Sequence, residues 1–368
     1  MTLILSIFLL LFFTLIGSIL LCLLDLENKI LKNKSFLLIA PILGVLVTIC
    51  LEETLFIFFP VKYSSLIFLI LVVIFTLKYK KRILKILKYW KTMKSYIAII
   101  IFSSFMVAIP SLKYFNLNST QLMNNDIAYY LSSMEWIYNH NFISSNSLLI
   151  QYLDKPFYIP SLYMIKVTRI GTDVLGATLM RILFLKPHQI FSVLGILFVG
   201  IVISTYGFLS SYVLRFNKRS NMLILIILSF SNNWMELYRM QYIPQILGIA
   251  GLIAFFSLLL DLLKNHNKQN IIIFSIILSG TLSVYSEFAS TLFLFLILIV
   301  SFLFISDRKN FRIKFFEILK GCLLTFIISP LGMYKAFKFN IMMIKSKGNS
   351  VGDPYSGIFI PFKIYIQN

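Results

Sequence analysis

The sequence predicts an all-α protein, a polytopic transmembrane helix bundle of about ten spans with one large external loop bearing amphipathic helices. Three observations carry this. The 368 residues are 59% hydrophobic and only 13% charged, against about 45–50% and about 25% in soluble domains. Mean hydropathy is +0.88, and the apolar residues are spread over the whole length in runs long enough to cross a bilayer. The basic residues, which give a formal charge of +20, gather in short loops between those runs, where the positive-inside rule places them. That distribution argues against nucleic acid as the partner of the excess charge.

The spans read as 2–24, 36–59, 64–77, 96–110, 189–213, 221–235, 244–262, 270–286, 288–305 and 318–337. Residues 64–77 and 96–110 fall short of the ~20 residues a perpendicular helix needs, so both are expected to extend into their flanks, with aromatic or snorkelling ends. The first 24 residues lack a basic start and a small-residue cleavage site, which favours a retained helix over a removed signal peptide.

Topology follows from lysine and arginine. Loop 78–95 holds eight of them, Lys78, Lys80, Lys81, Arg82, Lys85, Lys88, Lys91 and Lys94, and is expected in the cytoplasm. Alternation then places loops 25–35, 214–220, 263–269 and 306–320 inside as well, and the N-terminus outside. Together these loops hold 21 of the 34 basic residues. Ile83, Leu84, Ile86, Leu87 and Trp90 among the lysines give loop 78–95 the pattern of an interfacial amphipathic helix. The chain divides into N-terminal membrane helices over 1–110, an external segment over 111–188, and C-terminal membrane helices with an external tail over 189–368. In the second part of the external segment, apolar runs alternate with Lys166, Arg169 and Arg181, a pattern for one or two helices along the outer membrane face. The weakly apolar ending GIFIPFKIYIQN reads as the start of a further span, so the chain is expected to be a fragment of a longer protein.

Cys22, Cys50 and Cys322 lie in apolar runs without spacing partners and read as small packing residues. His140, His188 and His266 are scattered, so no metal cluster is visible. Chemistry concentrates in NNDIAYYLSSMEWIYNHNF, residues 124–142, a polar and aromatic stretch among apolar ones. From Ile127 onward the period is helical, with Tyr130, Met134 and Ile137 on one face. Asp126 then stands at a helix N-terminus, where backbone N–H groups favour a carboxylate. It is either an N-cap or a base. Glu287 lies at a span boundary, where a carboxylate is costly unless satisfied; it marks a site or reaches water. Arg239 in NNWMELYRMQYIPQ is the lone cation of an external loop. It binds a lipid phosphate bidentately or pairs with Glu236, three residues earlier. Lys155, Lys166, Arg169 and Arg181 are weaker phosphate candidates. Glu52 and Glu53 read as boundary residues ending the second span.

Asp126, Tyr129, Tyr130, Leu131, Trp136, His140, Asn141 and Phe142, followed by KPFYIPSLYMI, resemble the acid-loop motif of the GT-C class of integral membrane glycosyltransferases. The resemblance spans roughly 96–300. Two features depart from the class: the acid loop follows the fourth span and not the first, and a large C-terminal soluble domain is absent. The resemblance implies a polyprenyl-phosphate-linked sugar as donor, a glycan, lipid or protein as acceptor, and Asp126 as catalytic base, or as ligand to a divalent metal near the donor phosphate. It also supports a catalytic role for Glu287. Arg239 would hold phosphate, with Glu236, Tyr129, Tyr130 and His140 in the substrate site. No NTP-binding loop is present, which favours the lipid-linked donor. The expected place is the cytoplasmic membrane of a bacterium, in cell-envelope polysaccharide synthesis. Two alternatives share the lipid-linked substrate. A polymerase or ligase calls for large arginine-rich later loops, which are not seen. A non-enzymatic glycan transporter calls for mid-membrane charges, broken helices or repeats, and the spans carry almost no such charge.

Overall fold

The computed structural model describes residues 1–112, 126–145, 169–239, 242–265 and 267–346. Within them the chain is helical and no strand occurs. The helices are α1 (Thr2–Leu23), α2 (Glu27–Lys32), α3 (Ala40–Phe56, entered through a 3₁₀ turn at Lys34–Ile39), α4 (Val61–Lys78), α5 (Lys80–Trp90), α6 (Lys94–Leu112) and α7 (Asp126–Asn139). They continue with α8 (Gly171–Leu183), α9 (Pro187–Phe208, ending in a π turn at Leu209–Val213), α10 (Lys218–Ser229), α11 (Asn232–Arg239), α12 (Ile243–Lys264), α13 (Lys268–Val284), α14 (Phe288–Ser306), α15 (Phe311–Ile328) and α16 (Pro330–Ser346).

Among the described residues, seven helical stretches are long and apolar enough to cross a membrane, or eight if α15 and α16, bent by 104° at their junction, form one span. That is consistent with a multi-pass membrane protein. The two short spans do extend: α4 runs over 18 residues and α6 over 19. The stretches 221–235 and 270–286 overlap helices of 12 and 17 residues, Lys218–Ser229 and Lys268–Val284.

The long helices are apolar on every side, which suits helices surrounded by lipid and by one another. Their hydroxyls bond back to their own backbone: Thr14 to the Leu10 carbonyl, Ser18 to Thr14 and Thr48 to Gly44. In lipid such internal satisfaction is required. The core pairs α1 with α3 and α9 with α12. Glycine makes the first pair possible. A methyl at Gly17 would land on the Ala40 carbonyl, and one at Gly44 on the Phe13 carbonyl. This is small-residue packing of the kind that lets membrane helices approach closely. Gly17→Ala or Gly44→Ala is expected to destabilise the bundle by about 1–3 kcal/mol, read as a lower midpoint in detergent unfolding; an unshifted midpoint would mean that the α1–α3 contact is looser than described.

One end of the bundle gathers the lysine-rich loops. Arg82 reaches Asp25 at 2.6 Å and Glu27 at 3.3 Å, and Lys29 reaches Asp261 at 2.6 Å. Helix α5 leads into α6 as one helical stretch, Lys80–Ile109, with Ile83 and Ile86 buried and Leu84 and Leu87 exposed. At the opposite end α7 and α8 pack against α3, α4 and α9. Tyr130, Met134 and Ile137 form the buried face of α7, as the periodicity predicts. Helix α8 differs from the expectation of a helix lying along a membrane face: every residue from Gly171 to Met180 is buried. Its Gly, Ala and Thr residues read as weakly polar in sequence, yet they are small enough to fit between helices.

Candidate functional site

The charged residues of the end opposite the lysine-rich loops converge. Arg169, just before α8, forms an ion pair with Glu287, between α13 and α14. Its guanidinium also donates to the Tyr130 hydroxyl at 3.1 Å and lies 4.5 Å from the centre of the Tyr285 ring. Both members of the pair are half-buried, in the geometry where a cation gains from a ring face as well as from a carboxylate. Tyr130 stacks on Phe191 of α9, so α7, α8, α9 and the α13–α14 junction meet at one point.

Beneath this pair lies a second, fully buried group. Glu53, 0% exposed, accepts from Ser329 at 2.8 Å at the break between α15 and α16, and Gly332 N–H donates to the same serine oxygen at 3.2 Å. Lys335 of α16, 1% exposed, is the nearby cation, and its charge acts on both Glu53 and Asp173. Burial pushes the Asp173 carboxyl well above the usual carboxylate range, against the opposing pull of Arg169 and Lys335. One level out, Ser64 donates to Glu52 at 2.5 Å. Glu52 and Glu53 therefore do not sit at the boundary with water, as the sequence suggests; each points into protein and is held by a serine. A carboxylate taken out of water needs such partners.

The remaining candidates take these places. Asp126 is the first residue of α7, and its side chain lies outside the described residues. Along α7 it precedes Tyr130 by four residues, about 6 Å of rise. Tyr129 is partly exposed. His140 stacks on Trp136 with ring centres 3.9 Å apart, and burial lowers its pKa. Trp136 donates to Ser145 at 2.8 Å, and Asn141 donates to the Phe58 carbonyl at 2.9 Å, which fixes the segment after α7 against the turn between α3 and α4. Arg239 closes α11, and its side chain lies outside the described residues; Glu236 is exposed. The neighbouring Tyr238 packs at Gly195 of α9, one turn from Phe191, which brings α11 to the same end. Arg181 lies near the ring of Phe184. Lys155 and Lys166 fall outside the described residues.

The cluster thus joins Glu287 and Tyr130 with Arg169, a residue the sequence ranks below Arg239. Lys335, Glu53 and Asp173 have a sequence signal only in hindsight: each is an ionisable residue within or beside an apolar run, and such residues are functional or paired by default. Among the described residues no group of three or more His, Cys, Asp or Glu side chains is placed to hold a metal ion.

Comparison with protein-family models, with curated proteins and with solved structures returns no match.

Proposed function

We propose that this protein is a membrane glycosyltransferase that moves a sugar from a polyprenyl-phosphate donor to a glycan, lipid or protein acceptor at the outer face of a bacterial cytoplasmic membrane. The lysine-rich loops would face the cytoplasm, and the Arg169–Glu287 cluster the outside. The supporting observation is the junction of α7 with that cluster: Tyr130, one turn beyond Asp126, is bonded to the arginine that holds Glu287. A base and a half-buried carboxylate are then within one site's reach at the end where a lipid-carried sugar would arrive.

In this reading Asp126 takes the proton of the acceptor hydroxyl as its oxygen bonds to the anomeric carbon. The bond from that carbon to the phosphate oxygen breaks, and polyprenyl phosphate leaves with the electron pair. Arg239 binds the phosphate, Glu287 accepts from acceptor hydroxyls, and Arg169 fixes its orientation. Tyr129, Tyr130, Glu236 and His140 line the sugar site. Glu287→Gln is expected to lower transfer in membranes by about tenfold or more, the scale of one lost charged hydrogen bond, with insertion unchanged. Transfer at the native rate would remove Glu287 from the site.

One observation favours a second reading, a transporter of lipid-linked glycans. The α15–α16 break carries Ser329 at its bend and meets a buried Glu53 and Lys335, and discontinuous helices with buried charge mark many transport sites. Movement of labelled lipid-linked sugar across sealed vesicles with no new glycosidic product would select that reading.

A further inference from the structure

A cleft of about 540 Å³ opens at the lysine-rich end of the bundle, away from the cluster described above. It lies where the C-terminal ends of α2, α9 and α12 meet the start of α13, and its size is that of small-ligand sites in general. Its floor carries one carboxylate, Asp261, 5% exposed. That carboxylate is saturated. It accepts from Lys29 at 2.6 Å, from Asn265 at 2.7 Å and from the Tyr212 hydroxyl at 3.3 Å, and Lys29 also donates to Asn270 at 2.6 Å. The floor is therefore neutral and rigid.

The rim is different. Lys32, Arg215 and Lys264 line the cleft from three separate segments, are exposed, and have no carboxylate partner among the described residues. Positive-inside bias alone would scatter such cations over the surface; here three converge on one concavity. Helix ends do not cancel them. Each C-terminus facing the cleft withdraws at most about half a charge, and the N-terminus of α13 returns about half, so an excess of about two positive charges remains. Arg215 holds a left-handed backbone, φ 57°, two residues beyond the π turn of α9, a costly conformation for a non-glycine residue that persists where its surroundings fix it.

We propose that this cleft binds a phosphate-bearing anion, either a phospholipid headgroup or a free diphosphate, held by Lys32, Arg215 and Lys264. Two flexible ammonium groups and one planar guanidinium match several phosphate oxygens at once, and the neutral asparagine-lined floor adds uncharged donors. The site does not depend on the proposed glycosyl transfer, and its failure would leave that reading untouched.

The test uses the full chain in two settings. In detergent, pyrophosphate is titrated while thermal unfolding is followed. In lipid nanodiscs of phosphatidylglycerol or phosphatidylcholine, retained lipid is counted by native mass spectrometry. The triple variant K32Q/R215Q/K264Q leaves Lys29 and the floor intact, and its unfolding without ligand checks that it folds. A control, K81Q/K85Q/K88Q, removes the same charge from the exposed side of α5. The native chain is expected to bind pyrophosphate, or to retain phosphatidylglycerol over phosphatidylcholine. The triple variant should lose at least about tenfold in affinity, and the α5 control less than about threefold. Pyrophosphate binding alone identifies a soluble anion, and selective lipid retention alone identifies a headgroup. Binding of neither, or equal loss in both variants, would overturn the proposal.

Discussion

Asp126→Asn is expected to lower sugar transfer by about 10²–10⁴-fold, the range supplied by a positioned general base. The substitution separates the two roles open to this residue. Asparagine caps a helix about as well as aspartate, so α7 should begin in the same place and the protein should insert and accumulate normally. What asparagine cannot do is take the proton of an attacking hydroxyl. Transfer from a polyprenyl-phosphate sugar in membranes, normalised to inserted protein, is the measurement. A loss within a factor of a few would reduce Asp126 to a cap. A drop in both protein level and transfer would show that the carboxylate supports the fold; Asp126→Glu, which keeps the charge, would then restore stability without restoring the geometry of transfer.

The second large effect concerns stability. Lys335→Met is expected to cost about 1–3 kcal/mol, because it removes a buried ammonium whose charge acts on both Glu53 and Asp173. Combining the two changes as Glu53→Gln with Lys335→Met should recover most of the loss, a positive coupling in a double-mutant cycle. Denaturant unfolding in micelles reads both quantities. If Lys335→Met unfolds at the native midpoint, or if Glu53→Gln brings no recovery, the buried pair does not hold the α15–α16 break against α3.

The helices and their faces are legible in the sequence wherever one residue's neighbours decide the matter. The buried stripe of Tyr130, Met134 and Ile137, the amphipathic α5 and the clustering of basic loops at one end all follow from local period and charge. Contacts between distant segments are not legible. Glu53 and Ser329 are 276 residues apart, and nothing local shows that a glutamate ending one helix meets a serine at the bend of another. The Arg169–Glu287 pair is hidden for the same reason, although Glu287 is visible as a boundary acid. Helix α8 is misleading because small residues such as Gly176 and Ala177 are weakly hydrophobic by themselves. Their value lies in the close packing they permit, with Met134 lying directly against Gly176.

The most direct measurement is donor use by the purified full chain in proteoliposomes. Radiolabelled sugar is offered on a polyprenyl phosphate or on a nucleoside diphosphate, across a panel of hexoses and pentoses, with envelope glycan, lipid and protein acceptors. The expected result is label entering an acceptor from at least one polyprenyl-phosphate donor, none from the nucleotide donors, and loss of that signal in Asp126→Asn. Label arriving only from nucleotide donors, or from a polyprenyl-phosphate donor at the same rate in Asp126→Asn, would contradict it.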